Sequence, residues 1–143
     1  MSASNHRIVV GVDGSPSSIH ALEWAIRQAG LTGAVVDAVH AWQYPSSYGW
    51  AIADDTDYRG LAADELDKAI VEARHVNEAV EIRPQVVEQN AAQALLDASK
   101  GADLLVVGSR GHGGFAGTLL GSVSQHCVSH AGCPVLVLRN HRH

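Results

Sequence analysis

A parallel α/β fold, with five strands in the order 3-2-1-4-5 and helices on both faces of the sheet, follows from three features of the sequence. Short apolar runs of the kind seen in buried parallel strands, among them 8–10 (Ile-Val-Val) and 104–107 (Leu-Leu-Val-Val), alternate with longer stretches of helical periodicity. Strands alternating with helices give right-handed crossovers and a parallel sheet. Two strand ends are chemically unusual, Asp13 after the first and Gly108 after the fourth. Ligands of such sheets bind beyond the strand C-termini where strand order reverses, so one ligand touching both ends needs strands one and four to be neighbours. The third feature is Pro84 inside the third strand, which belongs at an edge because proline has no N–H for a ladder. The order 3-2-1-4-5 meets both demands.

Each element has its own signal. Residues 7–12 form the first strand, and Asp13-Gly-Ser-Pro16 stops it sharply. Ser15 is placed to cap a helix with Pro16 at its first position, where a missing N–H costs nothing. That helix carries Ile19, Leu22, Ile26 and Ala29 on one face, has His20, Glu23 and Arg27 on the other, and ends near Gly30 or Gly33. Residues 34–42 are the second strand. The stretch 43–57, with Pro45, Tyr48, Trp50 and three aspartates, is long for a connection and has the length of a lid or binding surface. A second helix covers 58–77 with Leu66, Ala69, Ile70 and Ala73 inward, and a third strand covers 80–88. Asn90 caps a short third helix with Ala91, Ala94, Leu95 and Ala98 inward. The fourth strand is 103–107, the fourth helix 121–131 and the last strand 134–138. With no repeat and no linker, the 143 residues read as one domain, 1–143.

Composition narrows the function classes. A hydrophobic content of 46% and a charged content of 17% describe a soluble globular protein without a membrane-spanning run. The first seven residues hold no apolar leader segment, which predicts a cytoplasmic location. Net charge is −5 and Lys68 and Lys100 are the only lysines, so the basic footprint of a nucleic-acid binder is missing. Cys127 and Cys133 lack partners at zinc spacing and read as buried or merely small.

The stretch 108–122, Gly-Ser-Arg-Gly-His-Gly-Gly-Phe-Ala-Gly-Thr-Leu-Leu-Gly-Ser, links the fourth strand to the fourth helix. Glycines let backbone N–H groups approach a ligand closely, and the helix opening at Gly121-Ser122 adds unpaired N–H groups with positive partial charge. Together they suit an anion, above all a phosphate. The spacing, Gly108-x2-Gly111-x9-Gly121-Ser122, is neither that of a P-loop nor the dinucleotide G-x-G-x-x-G. It does match the nucleotide-binding motif of the universal stress protein family. The opening Val9-Val-Gly-Val-Asp-Gly-Ser15, the block 102–111 and the closing Cys133-Pro-Val-Leu-Val137 resemble the same family, over nearly the whole chain.

The resemblance implies a Rossmann-like fold and the ATP-binding, single-domain kind of member, with Mg²⁺ accompanying the ATP; composition has already spoken against a nucleic-acid or membrane partner. Carried over by position, Asp13 lies beside the ribose and phosphates or helps hold a metal, while Gly11 and Val12 let the nucleotide lie close to the first strand. Ala41 stands where the family has an adenine-contacting valine, and Gly108 and Gly111 line the ribose and phosphates. Gly121, Ser122, Val123 and Ser124 present N–H and hydroxyl donors to the phosphate tail. Arg110 either pairs with a phosphate or is an exposed loop arginine. Asp13 is open to a second reading as a turn residue bonding its own following backbone, and Ala41 to one as plain core. The chain departs from the family at Gln89-Asn-Ala-Ala92, where Gly and Pro are usual near the third helix.

Of the nine histidines only His126 and His130 share the i, i+4 spacing of a two-ligand metal site, and a solvated helix face fits them better. His40 lies in a strand, and His112 within the glycine stretch is placed to sense ligand charge. No serine has a local base signature. The leading expectation is therefore an ATP-binding regulatory protein of the stress response, working as a conformational switch with at most slow hydrolysis. The alternatives are a slow ATPase or a nucleotidyl- or phosphoryl-transfer enzyme on the same scaffold, and a dimeric interaction module binding another adenine nucleotide. The last strand, apolar and at an edge, predicts a homodimer, and the resemblance points the same way. A regulatory protein partner is implied but not identified.

Overall fold

The structure, a computed structural model, describes residues 6–43, 57–109 and 122–139. Five strands, β1 (Arg7–Gly11), β2 (Val35–Trp42), β3 (Ile82–Glu88), β4 (Leu104–Gly108) and β5 (Val135–Leu138), pair in parallel in the order β3-β2-β1-β4-β5. The helices are α1 (Pro16–Thr32), α2 (Tyr58–Ala73), α3 (Ala91–Ala98) and α4 (Ser122–His130). The expected strand order is the observed one. Pro84 sits in the edge strand β3, opposite Ala38.

Period-two alternation in the strands sorts the core into two layers. Ile8, Val10, Val36, Ala38 and Val106 face α1 and α2, whose Leu22, Ile26, Leu66 and Ala69 close that side. Val9, Val39, Leu105 and Val107 face α3 and α4, meeting Ala94, Leu95 and Cys127. Val9, Val10, Val36, Leu105 and Val106 are fully buried. Each such side chain contributes roughly 1.5–3 kcal/mol relative to leaving it in water. Asp37, mid-strand in β2 and buried, is held by Arg7 Nη1 at 2.9 Å and Arg83 Nε at 3.1 Å. Arg7 also donates to the carbonyls of Ala98 and Lys100 at the end of α3.

The helix boundaries follow their caps. The Ser15 hydroxyl accepts from the N–H of Ser18, Pro16 opens α1, and Gly33, at φ 80°, closes it with its N–H on the carbonyl of Ala29. Asp57 and Asn90 cap α2 and α3 in the same way, accepting from Gly60 N and Gln93 N. Helix α2 ends before the expected Asn77, because residues 74–76 tighten into a 3₁₀ turn. The inner stripe of α1 also differs in detail. Ser17, Ser18, Ala21 and Ala25 are buried beside Leu22, Ile26 and Ala29, whereas Ile19 is half-exposed. In α3, Ala94 and Leu95 face the core, Ala98 is half-buried, and Ala91 is exposed rather than inward.

Both cysteines are free thiols. Burial pushes the Cys127 thiol up to about 11 and raises that of Cys133 as well. No described helix is long and apolar enough to cross a membrane.

Candidate functional site

The C-terminal ends of β1, β2 and β4 and the first turns of α1, α3 and α4 meet at one end of the sheet, which is where an open α/β fold places its ligand. The turn after β1 is built from its own side chains. Asp13 Oδ1 accepts the N–H of Ser15 at 2.9 Å, and the N–H of Asp13 donates to Ser18 Oγ at 3.1 Å. Gly14 takes φ +86°, a left-handed conformation that costs a side-chain-bearing residue about 1–2 kcal/mol. Asp13 is thus a turn residue, as its second reading has it, and it remains half-exposed at the strand end.

Val12 contributes only backbone to this end of the sheet. Its side chain is buried in the α1–α2 layer, its N–H donates to Val39 at 2.9 Å, and its carbonyl meets Nδ1 of His40 at 2.7 Å. Gly11 and Gly108 have packing reasons for lacking a side chain. A Cβ on Gly11 would come within 2.8 Å of Leu95 Cδ1, and one on Gly108 would lie 3.1 Å from the backbone oxygen of Ser17 and closer still to its Oγ. So α1 and α3 approach the strand ends as closely as they do because these positions are glycine. Ala41 is half-buried against the α3–α4 layer, opposite Val87.

The N-terminus of α4 carries three of the expected residues. Ser122 is exposed and Val123 half-buried, while the Ser124 side chain is buried and donates its hydroxyl to the carbonyl of Gly108 at 2.5 Å. That hydroxyl ties helix to strand, so the phosphate donors α4 can offer are Ser122 and the backbone N–H groups of its first turn. Arg110, Gly111, Gly121 and His112 lie outside the described residues, as do 44–56 of the long connection.

A cleft of about 420 Å³ opens between α3 and α4, lined by Gln43, Asn90, Ala91, Ala92, Gln93, Ser122, Val123 and His126. Its volume lies within the roughly 300–1,000 Å³ of small-molecule sites. Two helix N-termini, those of α3 and α4, face it, so the field inside favours an anion. Ser122 and Val123 are the expected residues that line it; Asp13, Ala41 and Gly108 stand at the neighbouring strand ends. Gln43, Asn90, Gln93 and His126 were not foreseen as site residues. Asn90 carries only a capping signal, and Gln43 stands at the start of the 43–57 connection expected as a lid or binding surface. His126 stacks on His130 with ring centroids 4.4 Å apart. Among the described residues no group of three or more His, Cys, Asp and Glu side chains gathers to hold a metal.

A universal stress protein of Mycobacterium tuberculosis is 38% identical over 144 residues, covering 92% of this chain and 43% of its own length. The chain therefore spans less than half of that relative, and about half of others it matches. A universal stress protein solved in complex with cAMP is 28% identical with a TM-score of 0.74, over 96% of this chain and 98% of that one. A universal stress protein of Lactobacillus plantarum, at 22% identity and a TM-score of 0.70 over 96% of this chain and 100% of its own, shares the fold. The family model for the universal stress protein family matches residues 4–139, and the chain belongs to that family.

Proposed function

We propose that the chain binds an adenine nucleotide, ATP with Mg²⁺ foremost, at the C-terminal end of the sheet, and acts in the stress response as a nucleotide-dependent switch. The observation that carries the reading is the cleft between the N-termini of α3 and α4, at the end of the sheet where the Asp13 turn and the end of β4 also lie. The solved relative with cAMP, at 28% identity, supports an adenine nucleotide as the class of ligand.

The residues fit such a ligand. Ala41, small and half-buried beside Gln43, leaves room for the base at the end of β2. Phosphates meet the N–H groups of residues 122–124, the Ser122 hydroxyl, and, from the sequence spacing, the backbone of Gly108, Gly111 and Gly121 with Arg110. Mg²⁺ commonly binds through one or two carboxylates plus substrate phosphates, and Asp13 is the carboxylate at this strand end. When bound, the metal offsets phosphate charge; the chain's own part is to position the tail. No described side chain is placed as an activated nucleophile, so binding rather than turnover is the activity proposed. A nucleotide changes function only by favouring one conformation over another. The two segments proposed to respond, 43–57 and 112–120, lie largely or wholly outside the described residues.

The edge position of β5, with Val135–Leu138 half-exposed, supports a homodimer formed by pairing that strand with its copy about a two-fold axis. The proposed location is the cytoplasm, with a regulatory protein as the reader of the bound state.

Mass spectrometry of small molecules released from the purified protein tests the ligand class, and an ATPase assay tests the mode of action. The reading expects an adenine nucleotide and turnover far below the roughly 1–100 s⁻¹ of kinases. Kinase-like turnover contradicts the switch and favours the phosphoryl-transfer alternative.

A further inference from the structure

His40 stands apart from the functions described so far. It is a buried imidazole in β2, on the face opposite the cleft, and both its ring nitrogens are engaged. Nδ1 lies 2.7 Å from the carbonyl oxygen of Val12, and because a carbonyl only accepts, Nδ1 carries a hydrogen. Nε2 lies 3.4 Å from Oε1 of Glu65 on α2, whose side chain is 49% exposed against 8% for His40. The same Glu65 side chain fills the space a Cβ on Gly14 would occupy, with Oε2 2.7 Å from that position. His40 and Glu65 therefore brace consecutive parts of one turn, the first at the carbonyl of Val12 and the second at Gly14. Between them sits Asp13.

Resting on the nucleotide reading above, we propose that His40, with Glu65, is a positioning residue for the ligand: it fixes the Val12–Gly14 backbone from behind and so sets where Asp13 meets the nucleotide. The physical argument is one of constraint. The Val12 carbonyl ends the β1 ladder, and β1's neighbour β2 supplies the donor from a side chain rather than from backbone. Removing that donor leaves a buried carbonyl without its imidazole partner, so that the peptide preceding Asp13 is held only at its other end, by the Asp13 N–H on Ser18 Oγ. A misplacement near 1 Å in such a group costs on the order of a hundredfold where geometry decides function. Glu65 carries the constraint into α2.

The test compares wild type, His40→Ala, His40→Asn and Glu65→Ala by two readouts. Amide exchange followed by NMR reports the turn itself, through the Ser15 N–H that Asp13 accepts. Titration calorimetry with ATP and with AMP reports the site. His40→Ala is expected to speed Ser15 exchange about tenfold or more relative to the amides of Val9 and Val106, and to weaken both nucleotides about tenfold. Asparagine can place its amide nitrogen near the former Nδ1 and donate to Val12, so His40→Asn is expected to restore both readouts to about those of wild type. Glu65→Ala, at a half-exposed position, shifts both in the same direction by about threefold. It serves as the decisive variant should His40→Ala fail to fold. Unchanged Ser15 exchange, or faster exchange with affinities intact, overturns the proposal. Wild type binding neither nucleotide overturns the functional reading instead, and the exchange experiment then decides by itself whether His40 positions the turn.

Discussion

Ser124 donates its hydroxyl hydrogen to the carbonyl oxygen of Gly108 at 2.5 Å, joining the first turn of α4 to the last residue of β4 across sixteen positions of sequence. The two ends of the glycine-rich connection are thereby held together by a partly buried bond. Ser124 as a residue is buried, with 4% exposure. Ser124→Ala is expected to lower stability by about 1 kcal/mol, the loss of a partly buried hydrogen bond, and to weaken nucleotide binding with it. Urea unfolding monitored by circular dichroism measures the first effect. An unchanged midpoint contradicts it.

Gly108→Ala separates packing from ligand contact. A Cβ at this position runs into the Ser17 backbone on the first turn of α1, which cannot move without shifting the Ser15 cap. Destabilisation of about 1–3 kcal/mol is expected even with no nucleotide present. A variant as stable as wild type shows instead that α1 gives way easily.

Asp103 sets an acid limb. Its carboxyl accepts from the His6 ring and from the N–H of Arg7, and these bonds hold it below the usual carboxylate value. A group depressed in the folded state stabilises above its unfolded value and loses that contribution as pH falls through its folded one. Stability from Asp103 is therefore full at neutral pH and lost below about pH 4. The side chain is 52% exposed, so the effect is small. Asp103→Asn should flatten the fall of the urea midpoint across that range; a slope identical to wild type argues against this contact.

The thiols should be slow to react. Cys127, pushed up to about 11 by burial, and Cys133, raised for the same reason, hold little thiolate at neutral pH. Modification of the buried Cys127 by a disulfide reagent at pH 7 is expected to be slow until urea unfolds the chain, and slower than that of the half-buried Cys133. Rapid labelling of Cys127 in the native protein contradicts its burial.

How much of this was legible beforehand depended on whether the signal was local. Strand and helix placement came from periodicity and caps, and Ser15-Pro16, Asn90 and Pro84 each did what its chemistry requires. The strand order came from asking which ends must meet. Side-chain partners far apart in sequence were not legible. Nothing local announces that Asp37 meets Arg83, that Ser17 is what requires glycine at 108, or that His40 faces Glu65, since each pairing exists only after the sheet and helices are assembled. Gln93 escaped notice for the same reason, and Gln43 and His126 stood out only as the start of the 43–57 connection and as one of a histidine pair: the cleft they line arises between two helices.

The central claim is that the glycine-spaced connection and the strand ends hold an adenine nucleotide, and titration calorimetry with ATP on the purified chain tests it most directly. Wild type is expected to bind one nucleotide per chain, and Gly121→Val, with its circular dichroism unchanged, to bind at least tenfold more weakly, a loss of about 1.4 kcal/mol. No heat of binding with ATP, AMP or cAMP, or equal affinity in the folded variant, contradicts the account.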